Sequence, residues 1–486
     1  MIRVAKSLLS QILPSNIFDR SIMVLASGTI GAQGILVLAA PLLTRIYDPE
    51  AFGVLAIYTM LLSLIVSISS FSYQLAIPIS QDEEEVPNLA ALSLVLVCLS
   101  ALLTGLLVFA YKPDIAELLN ISNFESYLFL LPIGVLLAGF FQVFLFWNTR
   151  EKLFTEIART RIRQALASVV IQIAGFNFGA IGLLLGQIAG QSAGTLKLAK
   201  SVILGSRYAN ISWRGMASAA VRYKRFPLLS TWGSILNSAG AFLPTIFIAT
   251  FFGPAAAGFY ALANRVAVAP LQAVGGAVSK TFFAYAKDAH QSDGLGLLVS
   301  ALYRKLTFIV FLPTLIISII GPGFFGLIFG EKWQFSGELI RLLTLWVGLQ
   351  FVVSPLTVVF FVTGQQKKGL IFQGVLLVFR ILGLCLGVFS MDLMTTIAFY
   401  SAFNAICYLG CLIWVFIISQ VNLACLFLPL VRAAIFSLAV CSPLLISIHV
   451  FTFELSWIIG IFGILIITPI WVPWYRRALA IDLPVQ

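Results

Sequence analysis

Three arginines sit where a membrane would make a charge costly. Arg265, in FYALANRVAVAP, and Arg380, in LLVFRILG, fall about ten to twelve residues inside long apolar stretches. At about 1.5 Å per helical residue that is roughly 15–18 Å, halfway through a hydrocarbon core. A guanidinium there costs roughly 2.5–3.5 kcal/mol unless it meets water or a partner. No Asp or Glu lies deep in any apolar stretch to pair with either one. A lone cation in a hydrated chamber suits an anionic group, because a guanidinium grips two oxygens with parallel hydrogen bonds. The plain alternative is that each Arg bonds helix carbonyls or reaches to the interface. Arg432 is only about six residues into its stretch and is expected to reach the interface. Arg45 closes the first stretch, in LTRIYDPEAFGVLA. It either receives an arriving anion or pairs with Asp48 or Glu50 in the turn.

The elements that hold these residues follow from composition. Of 486 residues, 60% are hydrophobic and 10% charged, and mean hydropathy is +1.02. A soluble domain is about half apolar and about a quarter charged. So few charges cannot cover a surface in water, so a bilayer must solvate much of the chain. About fourteen apolar stretches have the length of a membrane-crossing helix. The expectation is an all-α polytopic membrane protein of about 14 transmembrane helices, from 20–44 to 452–474. The stretches 160–178 and 179–203 are the least distinct pair, with only Asn177 to Gly179 between them. Before the first stretch, Val4, Leu8, Leu9, Ile12 and Leu13 either form one face of a helix on the membrane surface or simply flank the span. Six Cys fall in or beside apolar runs and read as packing residues. Two His are too few for a zinc site, so no metal or cofactor is expected.

Charge placement orients the chain. With the N-terminus inside, the even loops and both tails hold 23 of the 30 Lys and Arg. The positive-inside rule then makes both termini cytoplasmic, as an even span number requires. These charges suit an anionic inner leaflet. Because topology accounts for them, nucleic acid is not an expected partner. The acidic loop SQDEEEVPN lies on the same side and reads as solvated, since acidic residues contribute little to orientation.

The chain also repeats itself. At a shift of 205 residues Gly28 falls on Gly233, Pro49 on Pro254, Gly53 on Gly258 and Ala56 on Ala261. At slightly larger shifts KPDIAELL (112–119) falls on GPGFFGLI (321–328), and Gly134 on Gly348. The shift is close to six spans, an even number, so both copies enter the membrane from the same side as parallel repeats. The expected domains are a cytoplasmic segment 1–19, an N-lobe 20–203 and a basic cytoplasmic linker 204–225. A C-lobe 226–418 follows, then two extra helices with a cytoplasmic tail, 419–486.

Four stretches carry a family likeness. PLLTRIYDPEAFGVLAIY (41–58), SYQLAIPISQDEEE (72–85), NRVAVAPLQAVGGAVSKTFFAYA (264–286) and FGEKWQFSGELIRLL (329–343) resemble the Wzx lipid-linked oligosaccharide flippases. Their superfamily also holds the lipid II flippase and the multidrug and toxin extruders. The resemblance implies two six-helix lobes in a V around a central cavity. It implies outward movement of an undecaprenyl-pyrophosphate-linked oligosaccharide across a bacterial inner membrane, for O-antigen or exopolysaccharide synthesis. A polysaccharide polymerase and chain-length machinery would be its partners. The head group would be met by Arg265, Arg380 and Arg45, of which Arg265 and Arg45 lie in the family-like stretches. GQIAGQSAGTLK (186–197) either offers amides to sugar hydroxyls or packs helices closely. No GxxxxGK[ST] phosphate loop is present, and no motif points to catalysis, so a transporter rather than an enzyme is expected. Two alternatives stay open: a cation-drug exporter on the same fold, and a glycan polymerase or ligase.

Overall fold

The computed structural model describes residues 17–80, 82–203, 211–292 and 294–450. Lipid offers no partner to backbone N–H and C=O groups, and a helix satisfies them within itself. The described residues are accordingly helical, with no strand among them. Ten helices there are long and apolar enough to cross a membrane. The expected fourteen spans map onto these with three differences. The stretches 160–178 and 179–203 become helices that are too polar or too short to qualify. Those at 226–251 and 255–280 count as one element. The stretch 452–474 lies outside the described residues, as does the N-terminal segment expected at the membrane surface.

Two compact units divide the chain, Met1–Ala261 and Leu262–Gln486. Residues 231–261, expected to open the C-lobe, thus pack with the first unit. That unit contains α1 (Ile17–Ile46), α2 (Pro49–Ile68), α3 (Glu85–Leu118), α4 (Leu130–Arg150) and α5 (Phe154–Ala174). It also holds α6 (Ala180–Ser192), α7 (Thr195–Ile203), α8 (Trp213–Arg222) and the start of α9 (Thr231–Gln291). Apolar residues one helical turn apart knit it together. Val54, Tyr58, Leu62 and Val66 of α2 pack with Leu131, Val135 and Ala138 of α4 and Leu184 and Ile188 of α6. On α3, by contrast, Leu102, Leu103, Leu106 and Phe109 are all more than half exposed. A face that apolar belongs against lipid.

The second unit holds the rest of α9, then α10 (Leu295–Phe329), α11 (Gln334–Leu356), α12 (Val359–Val362), α13 (Gln366–Val388), α14 (Leu393–Ile418) and α15 (Ala424–Val450). Small residues set its closest approaches, as lipid-embedded packing favours. Gly337 of α11 lies against the backbone of Gly321 and Pro322 in α10, and Gly387 of α13 against Thr396 of α14. Phe308 of α10 meets Ala433, Phe436 and Val440 of α15.

The two repeated corners are both in the first unit and rest on each other. Pro49 starts α2 after Asp48, whose backbone is extended. The second corner needs only one residue: Gly253, at φ +85°, breaks α9 just before Pro254. That left-handed φ is why a glycine stands there. A Cβ on Gly53 would overlap the carbonyl of Pro254, and a Cβ on Gly258 would overlap the carbonyl of Pro49. The spacing P-x-x-x-G thus places each proline's carbonyl on the other copy's glycine. Repetition in sequence becomes a reciprocal backbone contact.

Candidate functional site

A cavity of about 550 Å³ opens in the first unit, a volume typical of ligand sites. Its walls come from α2, α4, α5, α6 and the start of α9. The chain around it breaks helical regularity twice, after α2 and at Gly194, and each break presents a polar side chain.

The first break follows α2. The apolar run that begins α2 continues past it, yet α2 ends at Ile68. Serines end it: Ser67 and Ser69 donate their hydroxyls to the carbonyls of Leu64 and Val66. Such side-chain bonds compete with the helical ladder. Phe71 and Ser72 then take positive φ, and Tyr73–Ala76 forms a 3-10 turn. This turn brings Gln74 to the cavity, where its Oε1 accepts the hydroxyl of Ser70. Neighbours fix the segment from behind. Arg150 donates to the carbonyls of Ile77 (3.0 Å) and Ser80 (2.6 Å). Tyr73 donates to the carbonyl of Ala220 in α8 (3.0 Å), and the Tyr223 hydroxyl lies within hydrogen-bond distance of Ser80 Oγ (3.0 Å) and Glu85 Oε2 (3.2 Å). Arg222 pairs with Glu85. Residues 220–223 of the basic segment therefore dock on the turn that carries Gln74.

The second break splits the stretch 179–203. Gly194, at φ +80°, separates α6 from α7. GQIAGQSAGTLK packs closely on the neighbouring helix. Gly186 and Gly190 of this motif lie against the backbone of Ser168 and Gln164 on α5, and Gly182 before it lies against Gly175, just past the end of α5. Gln191 lines the cavity, and its buried Oε1 has no hydrogen-bond partner. Packing and polar lining belong to different residues of one motif.

The third feature is α5, which begins six residues before the expected span. Glu156 in its first turn pairs with Lys197 (3.1 Å) and Arg159 (2.9 Å), holding α7. The Lys197 hydrogen bond does most to keep the Glu156 carboxyl below the usual carboxylate range. Arg161 and Gln164, three residues apart, share the helix face on the cavity. Arg161 is half-buried, with its guanidinium 4.9 Å from the Phe141 ring centre. Among the described residues it has no hydrogen bond and no carboxylate partner. Ser63, Ser67, Gln142, Ser234 and Ser238 complete the polar wall, and no Asp, Glu or His lines it. A lone guanidinium among amides and hydroxyls has the chemistry to hold an anion beside a polyhydroxyl group.

The arginines singled out in the sequence occupy different settings. Arg265 is half-buried in α9, with no hydrogen bond or ion pair among the described residues. It belongs to the second unit. Arg380 is engaged in the packing of that unit. Its Nε donates to Asn404 Oδ1 (3.0 Å), and its guanidinium lies 6.0 Å from the Trp346 ring centre. Arg45 is exposed in the last turn of α1. None of the three lines the first unit's cavity. Sequence reasoning counted Arg161 with Arg159 and Arg163 as a topology signal. The usable signal was Arg161 and Gln164 on one face of α5, apart from exposed Arg159 and Arg163.

Comparison with known proteins agrees with this architecture. Residues 42–337 match the family described as polysaccharide biosynthesis protein. The lipopolysaccharide biosynthesis protein WzxC of Escherichia coli (strain K12) is 24% identical over 341 residues, 68% of this chain and 67% of that one. Among solved structures, the lipid II flippase MurJ in an inward closed conformation aligns with a TM-score of 0.67 at 13% identity, over 94% of this chain and 99% of that one. An inward-facing multidrug resistance MATE family transporter aligns with a TM-score of 0.61 at 16% identity, over 81% and 94%. The chain belongs to the polysaccharide biosynthesis protein family, Wzx-like in sequence, on a multi-pass membrane fold that a lipid flippase and a multidrug transporter share.

Proposed function

We propose that the chain is a flippase that moves an undecaprenyl-pyrophosphate-linked oligosaccharide from the cytoplasmic to the outer leaflet of a bacterial inner membrane. The product would feed O-antigen or exopolysaccharide synthesis, with a polymerase and chain-length machinery downstream. One observation carries this reading: Arg161, without a carboxylate partner, faces a polar cavity that contains no acidic side chain. Such a cavity attracts a pyrophosphate and would repel a cationic drug. The cluster of basic residues in the even loops supports cytoplasmic termini. Arg265 is kept as a proposed head-group contact in the second unit, and Arg45 as a proposed contact on the outer face. Arg380, bonded to Asn404, is proposed to act through packing.

Transport needs two states that expose the site to opposite sides. With the interior negative, outward movement of an anion gains about 2.3 kcal/mol per charge per 100 mV. A doubly charged head group would gain about twice that. Purified protein in liposomes, loaded with fluorescent undecaprenyl-pyrophosphate-linked oligosaccharide, tests the reading. A glycosidase added outside should reach inner-leaflet substrate faster when the protein is present. Unchanged exposure, together with energised efflux of a cationic dye, would instead favour the drug-exporter alternative.

A further inference from the structure

A lone arginine grips an anion well only if something holds it in place. Its side chain has many rotamers, and a site's apparent affinity falls with the fraction of molecules that present the binding arrangement. Two common restraints would defeat the purpose. A carboxylate would cancel the charge, and a carbonyl would occupy the N–H donors that an anion needs. An aromatic face attracts the cation through its quadrupole, so it neither cancels the charge nor requires a donor.

Arg161 has this third restraint. Its guanidinium carbon lies 4.9 Å from the centre of the Phe141 ring, inside the reach of about 6 Å for a cation–π contact. Among the described residues no hydrogen bond or ion pair holds it otherwise. None of its nitrogens is both buried and unpaired, so they stay open to the cavity that Arg161 and Phe141 line together. The ring is fixed in turn. Phe141 is buried in α4, in one cluster with Val143, Phe144 and Trp147 and with Tyr73 and Ile77 of the segment that carries Gln74. Arg380 of the second unit shows the contrast: it too lies over a ring, that of Trp346, but its Nε is tied to Asn404.

We infer that Phe141 is a positioning residue for pyrophosphate binding, holding Arg161 at the cavity with its charge and its donors intact. This step rests on the flippase reading above.

The test uses the purified full-length chain and citronellyl pyrophosphate as a soluble probe. Mono-, di- and trifluorinated phenylalanine at position 141 weaken the negative face of the ring in steps and hardly change its shape, so a role in packing alone would not respond. The Kd measured by calorimetry is expected to rise with each fluorine, by about 2- to 30-fold across the series, the factor by which a cation–π contact favours the presented arginine. Phe141→Leu should lose as much as the trifluorinated ring. In the Arg161→Gln background the same series should change nothing, because the cation is gone. A flat series in the otherwise unaltered chain, or an equal loss in the Arg161→Gln background, would overturn the positioning role and leave the flippase reading intact. Wild-type affinity in Arg161→Gln, or no binding of the probe by the unaltered chain, would overturn both.

Discussion

Gly53→Ala probes the reciprocal corner contact with a single methyl group. Gly53 and Gly258 are both buried, and a Cβ on either would overlap a proline carbonyl of the other corner. The obstacle is backbone, so no side chain can rotate away. Overpacking of this kind costs about 1–3 kcal/mol, and a rigid obstacle puts each substitution near the upper end. Gly258→Ala should cost the same for the same reason. The two methyls press on one crossing, so once the first has parted the helices the second meets less resistance. The double variant should fall short of the sum by about 1–2 kcal/mol. Gly374→Ala is the control, because Gly374 is exposed on α13 with nothing within 4 Å of the added methyl. There the change should stabilise by up to about 1 kcal/mol, since Ala is the better helix former. Thermal unfolding of the purified variants in detergent reads all four. A Gly53→Ala protein that melts like wild type, or a double variant whose loss equals the sum, would refute the reciprocal contact.

Two further outcomes follow from the polar anchors. Arg380→Ala should lower the yield of folded protein, because it strips the donor from Asn404 Oδ1 in a fully buried residue, at about 1–3 kcal/mol. Transport per folded molecule should stay near normal, and a loss of rate at full stability would return Arg380 to the substrate. The Glu156 carboxyl sits below its ordinary value, so its contribution is complete above the unfolded glutamate value of about 4.3 and is lost as pH falls through the folded value. The protection of α7 amides, corrected for the pH dependence of intrinsic exchange, should stay flat from about pH 7 to 5 and fall only at lower pH. Glu156→Gln should remove that dependence, and a change centred near neutrality would contradict the assignment.

Much of the fold was legible because lipid imposes long apolar runs, and the corners were legible because Pro and Gly have few other uses at helix ends. The misread elements share one physical cause. Serines after α2 and the glycine at 194 end helices inside stretches that hydropathy alone reads as continuous, since hydropathy does not register hydroxyl caps or positive φ. The site was harder. Arg265 and Arg380 drew attention because they interrupt apolar runs, whereas Arg161 sits beside Arg159 and Arg163, where charge looks like topology. Only the helical phase of α5 separates a cavity-facing guanidinium from its exposed neighbours. The partner of Arg380, Asn404, lies on another helix, and no spacing within one stretch could have revealed it.

The central claim is that the Arg161 guanidinium takes the substrate's pyrophosphate. Its most direct test is the initial flipping rate in liposomes of Arg161→Gln and Arg161→Lys at matched protein content. Loss of charge-assisted hydrogen bonds worth about 1.5–3 kcal/mol predicts a fall of about 10- to 150-fold for Gln, with Lys in between because it keeps the charge without the two-pronged grip. An Arg161→Gln protein that flips the pyrophosphate-linked substrate at the wild-type rate would contradict the account.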